Sequence, residues 1–434
     1  MRKTAKPLWL LSSLILLLLP GLPLSAQTGD QAGRAREDPL TLRIAVMGPG
    51  DELYFWWGHI GLIIENADTG RSDFYDYGIF SFRNAHFFTN FAFGRLLYSC
   101  GVSPTNSNIA QYISINRAVT LYTLDLPPEK KEEVRQFVEQ NVLPENRDYY
   151  YHHFKDNCAT RIRDIIDLAT GGQFFEALGN LPGRYTLRQH VRRHTWFSPF
   201  FDWFLNFCMG QDIDTPITVW QEMFLPAEIG RRIEDFRYRD PSGRERNLVS
   251  SVEVIHRAPD RPAVLEVPRK QWPRELLLGS LLAAALGFFL ILRRKKNAAG
   301  NILLGLSQSI LGLFFGGAGS ILFFMTFFTN HDYTYHNSNI LYINPLLLAA
   351  VPLGILFAAA KDEEGRFIPD IILRALWTYV SLGLLVSMAI KILPGFYQQN
   401  QVTQAMVLPI ALVLSFAPGL IEEFLRRVFW RWFD

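Results

Sequence analysis

Cys158 lies in the stretch Phe154-Lys155-Asp156-Asn157-Cys158-Ala159-Thr160-Arg161-Ile162, where a polar loop runs into an apolar helix pattern. Ile162, Ile165, Ile166 and Ala169 recur at helical spacing, and Gly171 and Gly172 end the run. Asp156 or Asn157 is the expected N-cap, which sets the thiol in the first turn. There, unpaired N–H groups and the helix dipole favour a thiolate nucleophile. The polar neighbours Asp156, Asn157, Thr160 and Arg161 argue against a merely buried, inert thiol. About a hundred residues upstream, Trp56-Trp57-Gly58-His59-Ile60-Gly61-Leu62-Ile63-Ile64-Glu65 reads as a strand with one histidine. A cysteine at a helix start and a strand histidine are the two halves of a thiol–imidazole nucleophile.

Those two residues need elements to hold them. The His59 strand is followed by the turn signal Ala67-Asp68-Thr69-Gly70 and by Ser72–Gly78, a β-hairpin. A four-residue turn places Asp76 on the face of His59; a three-residue turn places Tyr75 and Tyr77 there, because one step of register flips the face. Asp76 is the expected orienting partner of the imidazole, with Tyr77 in reserve. Gly58 and Gly61 suggest open space around the ring. Metal is the competing use of these side chains. His152 and His153 lie near the cysteine, and His190 and His194 stand four apart, but Arg192 and Arg193 between them oppose a cation and no Cys-x-x-Cys occurs. No metal and no cofactor is expected.

The chain has 434 residues, 49% of them hydrophobic, and a formal charge of +2, a balance that gives no reason to expect nucleic acid. Its apolar residues are unevenly spread. Residues 1–26 combine Arg2, Lys3 and Lys6 with an apolar run and Leu24-Ser25-Ala26, a secretory signal. Residues 27–257 have the composition of one soluble domain, and the proline-punctuated stretch 258–274 reads as a linker. Residues 275–434 read as an all-α membrane domain of about five spans, at roughly 275–292, 302–328, 340–360, 370–393 and 404–424. The basic clusters Arg293–Lys296, Lys361 with Arg366, and Arg426, Arg427 and Arg431 then share one side, the cytoplasmic one. Residues 27–273 and the polar loop Asn330–Asn339 occupy the other. Three cysteines leave two readings open: a Cys100–Cys208 disulfide with Cys158 free, or three reduced thiols.

The order of histidine strand, polar strand and Asn-Cys helix start is similar to circularly permuted papain-like folds, which makes the expected class α+β. More specifically, the chain resembles the Lnb family of bacterial lipoprotein N-acyltransferases. The matching segments are Trp57-Gly58-His59, Tyr75-Asp76-Tyr77-Gly78 with Phe80 and Phe82, and Asp156 through Asp164 around Cys158. Trp203 through Asp212, Glu222-Met223-Phe224-Leu225-Pro226, Asn337-Ser338-Asn339 and Asn344-Pro345 extend it over most of the mature chain. The resemblance implies an integral protein of the bacterial inner membrane with its thiol domain in the periplasm. It also implies a phospholipid acyl donor, a diacylated lipoprotein acceptor, and catalytic roles for Cys158 and His59. Tyr77, Asn157 and Arg161 near the thiol, and His331, Asn337 and Asn339 on the membrane-side loop, are the candidates for substrate contact. Two rival expectations are a membrane-anchored cysteine peptidase or amidase acting on cell-wall peptide, and a non-catalytic membrane binding or assembly protein.

Overall fold

Alternation of apolar and polar residues builds a seven-stranded antiparallel sheet at the front of the chain. The computed structural model describes residues 38–80 and 86–415. The expected signal segment 1–26, Phe82 and the Arg426–Arg431 cluster lie outside the described residues. The sheet comprises β1 (Leu40–Met47), β2 (His59–Asn66), β3 (Arg71–Ile79), β4 (Leu97–Pro104), β5 (Val119–Leu124), β6 (Asp148–Tyr150) and β9 (Val249–His256). Their order is β6-β4-β3-β2-β1-β5-β9, and β7 (Arg237–Arg239) and β8 (Glu245–Asn247) form a separate ribbon. The architecture is therefore α+β, as expected: a sheet domain followed by a helical half.

Period-two alternation sends the two faces of the sheet into different cores. Ile60, Leu62, Ile64, Tyr75 and Tyr77 face one core, shared with α3 (Pro128–Asn141), α4 (Cys158–Ala169) and α9 (Pro226–Glu234). Met47, Ile63, Phe74 and Val119 face the other, covered by α2 (Thr105–Ser114). Short helices complete this half: α1 (Phe87–Ala92), α5 (Gln173–Leu178), α6 (Leu187–Thr195), α7 (Pro199–Cys208) and α8 (Val219–Glu222).

The helical half contains α10 (Trp272–Arg294), α11 (Ala298–Phe328), α12 (Ala350–Ala359), α13 (Glu363–Ala389) and α14 (Gln401–Leu414). Four stretches are long and apolar enough to cross a membrane: Trp272–Arg294, Ala298–Phe328, Ser338–Ala359 and Glu363–Ile392. A fifth span is expected at 404–424. Among the described residues it is represented by α14 alone, 14 residues or about 21 Å at 1.5 Å per residue, and the rest lies beyond them. The third stretch is not one continuous α-helix. Asn344 takes an extended backbone and its side chain accepts from Leu346 N–H, so Pro345 restarts the chain as a short 3-10 turn before α12. Small residues let the helices close on each other: Gly305 meets the Gly354 backbone, and Gly279 meets that of Met406.

Two basic clusters share one end of this bundle. Arg293 at the end of α10 forms a two-pronged pair with Asp370 of α13, at 3.0 and 3.1 Å, and lies 3.5 Å from Glu363. The loop 329–337 lies at the far end of α11, against the sheet domain. The proline-rich stretch expected as a linker is strapped along the domain: Arg193 donates to Leu265 O, Trp196 to Ala263 O and Tyr185 to Glu266 O.

One element crosses the boundary that composition suggests. Trp203, Phe207 and Cys208 of α7 are buried in the same core as Leu322, Tyr342 and Ile343 of the helical half, and Trp203 stacks on Phe314 at 5.2 Å. Cys208 is thus far removed from Cys100, which packs in the sheet core. All three cysteines are free thiols, so the Cys100–Cys208 disulfide considered from the sequence does not form.

Candidate functional site

The site starts from the cap of α4. Asn157 Oδ1 accepts from Thr160 N–H at 2.9 Å, while Thr160 Oγ1 accepts from Asn157 N–H at 2.8 Å, a reciprocal capping box. The remaining donors of the Asn157 amide go to His153 O and Phe224 O. Asn157 is therefore the N-cap, Cys158 is the first helical residue, and the thiol is fixed by local backbone chemistry. Arg161, one turn on, grips Asp156 through two bonds of 2.6 and 2.7 Å and lies over the Tyr149 ring.

The hairpin supplies the second half. Its turn has four residues, which pairs Asn66 with Arg71 and Gly61 with Asp76. That register puts Asp76 on the His59 face, and Asp76 Oδ1 lies 2.7 Å from His59 Nε2. Tyr77 points to the opposite face, into the core that holds Cys158, where its hydroxyl is buried and has no partner among the described residues. Burial pushes the Tyr77 phenol well above its usual range.

Gly78 is where the two halves meet. Its φ is +112°, within a register shift between Tyr77 and Ile79 that bends the strand end. A Cβ there would lie 3.7 Å from Cys158 Cβ, 3.8 Å from His59 Cε1 and 3.9 Å from Tyr151 Cε2. Any side chain at 78 would be strained by this φ, and its Cβ would stand in van der Waals contact with Cys158 and His59. The space expected beside Gly58 and Gly61 is, by contrast, already filled. The Phe74 ring occupies the place of a Gly61 side chain, and Met47 O and Pro226 adjoin Gly58. The signal missed in the sequence was the glycine that follows Tyr75-Asp76-Tyr77.

Burial opposes a charge on His59, but the surrounding Tyr112, Asp76 and Cys158 outweigh it and hold the imidazole well above the ordinary histidine range. Asp76 carries most of this at neutral pH, because a phenol such as Tyr112 is then uncharged. The sign follows directly. The His59–Asp76 pair stabilises the fold fully below the ordinary histidine pKa, and this contribution is lost as pH rises through the raised value. Asp76→Asn should therefore move the His59 titration midpoint to lower pH, measured by NMR of labelled histidine. An unmoved midpoint would show that Asp76 does not govern the ring.

Tyr112 and Arg117 also stand at this end of the sheet and were not singled out from the sequence. The Tyr112 ring lies 6.1 Å from that of His59, and Arg117 is fully buried between the rings of Phe55 and Tyr112. The strand that bears His59 is anchored from α6, where His194 Nδ1 bonds Trp56 O at 2.9 Å. His190 is held by Glu222 and Arg193.

The loop 329–337 reaches the turn before Cys158. Asp332 takes His152 Nε2 at 2.7 Å and Lys155 Nζ at 2.5 Å, so the loop clasps the turn that leads to Cys158. These bonds hold the Asp332 carboxyl well below the usual carboxylate range. His331 is buried, its Nε2 3.0 Å from Phe91 O and its Nδ1 3.0 Å from the Tyr333 hydroxyl. Asn337 and Asn339 both donate to Phe207 O, and Asn337 also to Cys208 O, at the end of α7. His59 with its Asp76 partner and Cys158 thus meet at Gly78, whereas the Asn157 side chain is spent on the cap of α4 and on His153 O and Phe224 O, and Arg161 on Asp156 and Tyr149. His331, Asn337 and Asn339 are instead committed to α1 and α7.

Residues 30–193, a stretch that contains His59, Asp76 and Cys158, match the family described as the Lnb N-terminal periplasmic domain. No curated protein and no solved structure matches the chain.

Proposed function

We propose that this chain, whose residues 30–193 match the Lnb N-terminal periplasmic domain, is a membrane-bound acyltransferase that works through a cysteine thioester. The observation that carries this reading is the convergence of Cys158, at the head of a capped helix, with an Asp76-held His59 around Gly78. The attachment of that centre to apolar helices long enough to span a membrane favours lipid substrates over soluble peptide. We read the sheet domain as the permuted papain-like type, in which the histidine strand precedes the cysteine helix.

In this mechanism Cys158 and His59 work as a thiolate–imidazolium pair, the thiol proton residing on the ring that Asp76 holds, and Cys158 Sγ attacks the carbonyl carbon of a phospholipid ester. First-turn amides at the head of α4 are suited to the developing oxyanion. Collapse of the tetrahedral adduct breaks the ester C–O bond, and the departing lysophospholipid oxygen takes the proton from the imidazolium. The α-amine of a diacylated lipoprotein's N-terminal cysteine then attacks the thioester. An amide forms, the C–S bond breaks, and the thiol is restored. Thioesters suit this second step because they remain reactive towards amines.

Intact-mass analysis tests the reading. Full-length protein incubated with phospholipid vesicles should gain one acyl mass on Cys158, labile to hydroxylamine and discharged by a diacylated peptide with a free N-terminal amine. A Cys158 that alkylates readily yet never acquires an acyl group would overturn it.

A further inference from the structure

Two of the exposed aromatic side chains of the sheet domain stand on α1, a six-residue helix between β3 and β4. Phe88 is 70% exposed and Phe91 46%. Such side chains are costly in water and call for an apolar covering.

The contacts of α1 say what the covering is. The Phe93 ring, just past its C-terminus, packs at 5.5 Å on Phe324 of α11, one turn inside the end of that span. Asn330 N–H donates to Phe93 O at 2.9 Å, and His331 bonds Phe91 O. Gly94 has φ +70°, and a Cβ there would come within 2.9 Å of the Asn330 and His331 backbone, so only glycine permits this close approach. The domain is thereby pinned so that the C-terminal end of α1, from Phe91 to Phe93, stands beside the last turn of α11, whose Phe327 and Phe328 are 59% and 60% exposed. Arg95, exposed and next in the chain, stands where a basic side chain meets lipid headgroups.

An aromatic row leads inward from this patch. Phe88 meets Phe87 at 5.4 Å, Phe87 meets Phe80 at 5.7 Å, Phe80 meets Tyr98 at 5.1 Å, and Tyr98 stacks on Tyr151 at 4.3 Å. Tyr151 borders Gly78, beside Cys158.

We infer that α1 is a bilayer-seated platform that delivers the acyl chain of a membrane lipid along this aromatic row to Cys158. It deepens the acyltransferase reading by assigning the route of the donor chain, and its first test does not depend on that chemistry. A helix seated among acyl chains explains why His331 is spent on the Phe91 carbonyl: the loop sets the height of α1 on the span.

The experiment uses full-length protein in vesicles of a phospholipid carrying a diazirine in its acyl chain, with adducts mapped by peptide mass spectrometry after illumination. Adducts should appear on residues 86–93 as well as on Phe327 and Phe328, and those on 86–93 should disappear in the F88D/F91D double variant. Labelling of Phe327 and Phe328 with residues 86–93 untouched would overturn the proposal. In a second arm, F88D/F91D should slow acylation of Cys158 from bilayer phospholipid by about tenfold or more, the scale set by losing a buried phenylalanine. Its reaction with iodoacetamide should be unchanged, which shows an intact centre. Acylation within twofold of the parent would overturn the delivery role. Bilayer seating without any acylation of Cys158 in the parent would instead count against the acyltransferase reading alone.

Discussion

Replacing Cys158 by Ala should abolish acyl transfer, and Cys158→Ser should do nearly the same, since a serine hydroxyl in this position lacks the ready ionisation of a thiol. The substitution is a clean one. The α4 cap resides in Asn157 and Thr160, which the change leaves alone, and among the described residues the thiol makes no hydrogen bond. Membrane insertion and thermal unfolding should therefore stay close to those of the parent. His59→Ala should lower the rate by ~10²–10⁴-fold, the usual contribution of a positioned base. It should leave a slow residual reaction, because the helix-head thiol is still in place. The measurement is acyl transfer to a diacylated peptide in vesicles, with iodoacetamide labelling as a check on the site. Transfer by Cys158→Ala above a few per cent of the parent would end the thiol mechanism.

The largest effect on stability should come from Arg188, far from the thiol. Its side chain is fully buried, with Nε bonding Asp214 Oδ1 at 2.7 Å, Nη1 donating to Asn206 O, and Nη2 donating to Met209 O and Gly210 O. Asp214 in turn accepts from Gln399 N–H, on the segment before α14. The neighbouring Gln398 donates to Met209 O and to Asn337 Oδ1. One guanidinium thus closes the end of α7 and ties the sheet domain to the helical half. Arg188→Ala would strip the buried Asp214 carboxylate of its ion-pair partner and the Asn206 and Gly210 carbonyls of their guanidinium donor, a cost of about 3–5 kcal/mol. Arg188→Lys should be intermediate, since an ammonium cannot fork to four acceptors at once. Unfolding midpoints in detergent, followed by tryptophan fluorescence, would check this. A change of less than about 1 kcal/mol for Arg188→Ala would mean that the network relaxes onto water.

Asn337 and Asn339 belong to the same clasp, and this alters how their roles should be viewed. A polar set at a membrane edge invites a substrate reading, because such groups need partners. Here the partners are the last carbonyls of α7, which a helix end leaves unsatisfied. Ser338, Ser387, Gln398, Asn400 and Gln404 continue the network between the helices. The functional contribution we assign to this loop runs through placement, with Asp332 on the Cys158 approach and His331 on α1.

By itself the sequence determined the features that arise over a few residues. Asn157 caps α4 because its side chain reaches an N–H three residues on, so Cys158 at the helix head was legible from the cap and the apolar spacing alone. A four-residue turn made His59 and Asp76 share a face, since side chains alternate strictly along strands. Apolar length marked the four stretches that are long and apolar enough to cross a membrane, among the five expected. The tertiary structure alone decided what depends on residues far apart in the chain. Gly78 could be recognised as the meeting point only once α4 had packed across the strand end. The burial of α7 in the helical half could not be read from its composition, because an aromatic helix looks the same against a sheet or among spans. The partners of Asn337 and Asn339 lie some 130 residues away in the chain. Local pattern records which groups must be satisfied, but only the packed fold specifies which of many equivalent carbonyls and apolar faces satisfies them.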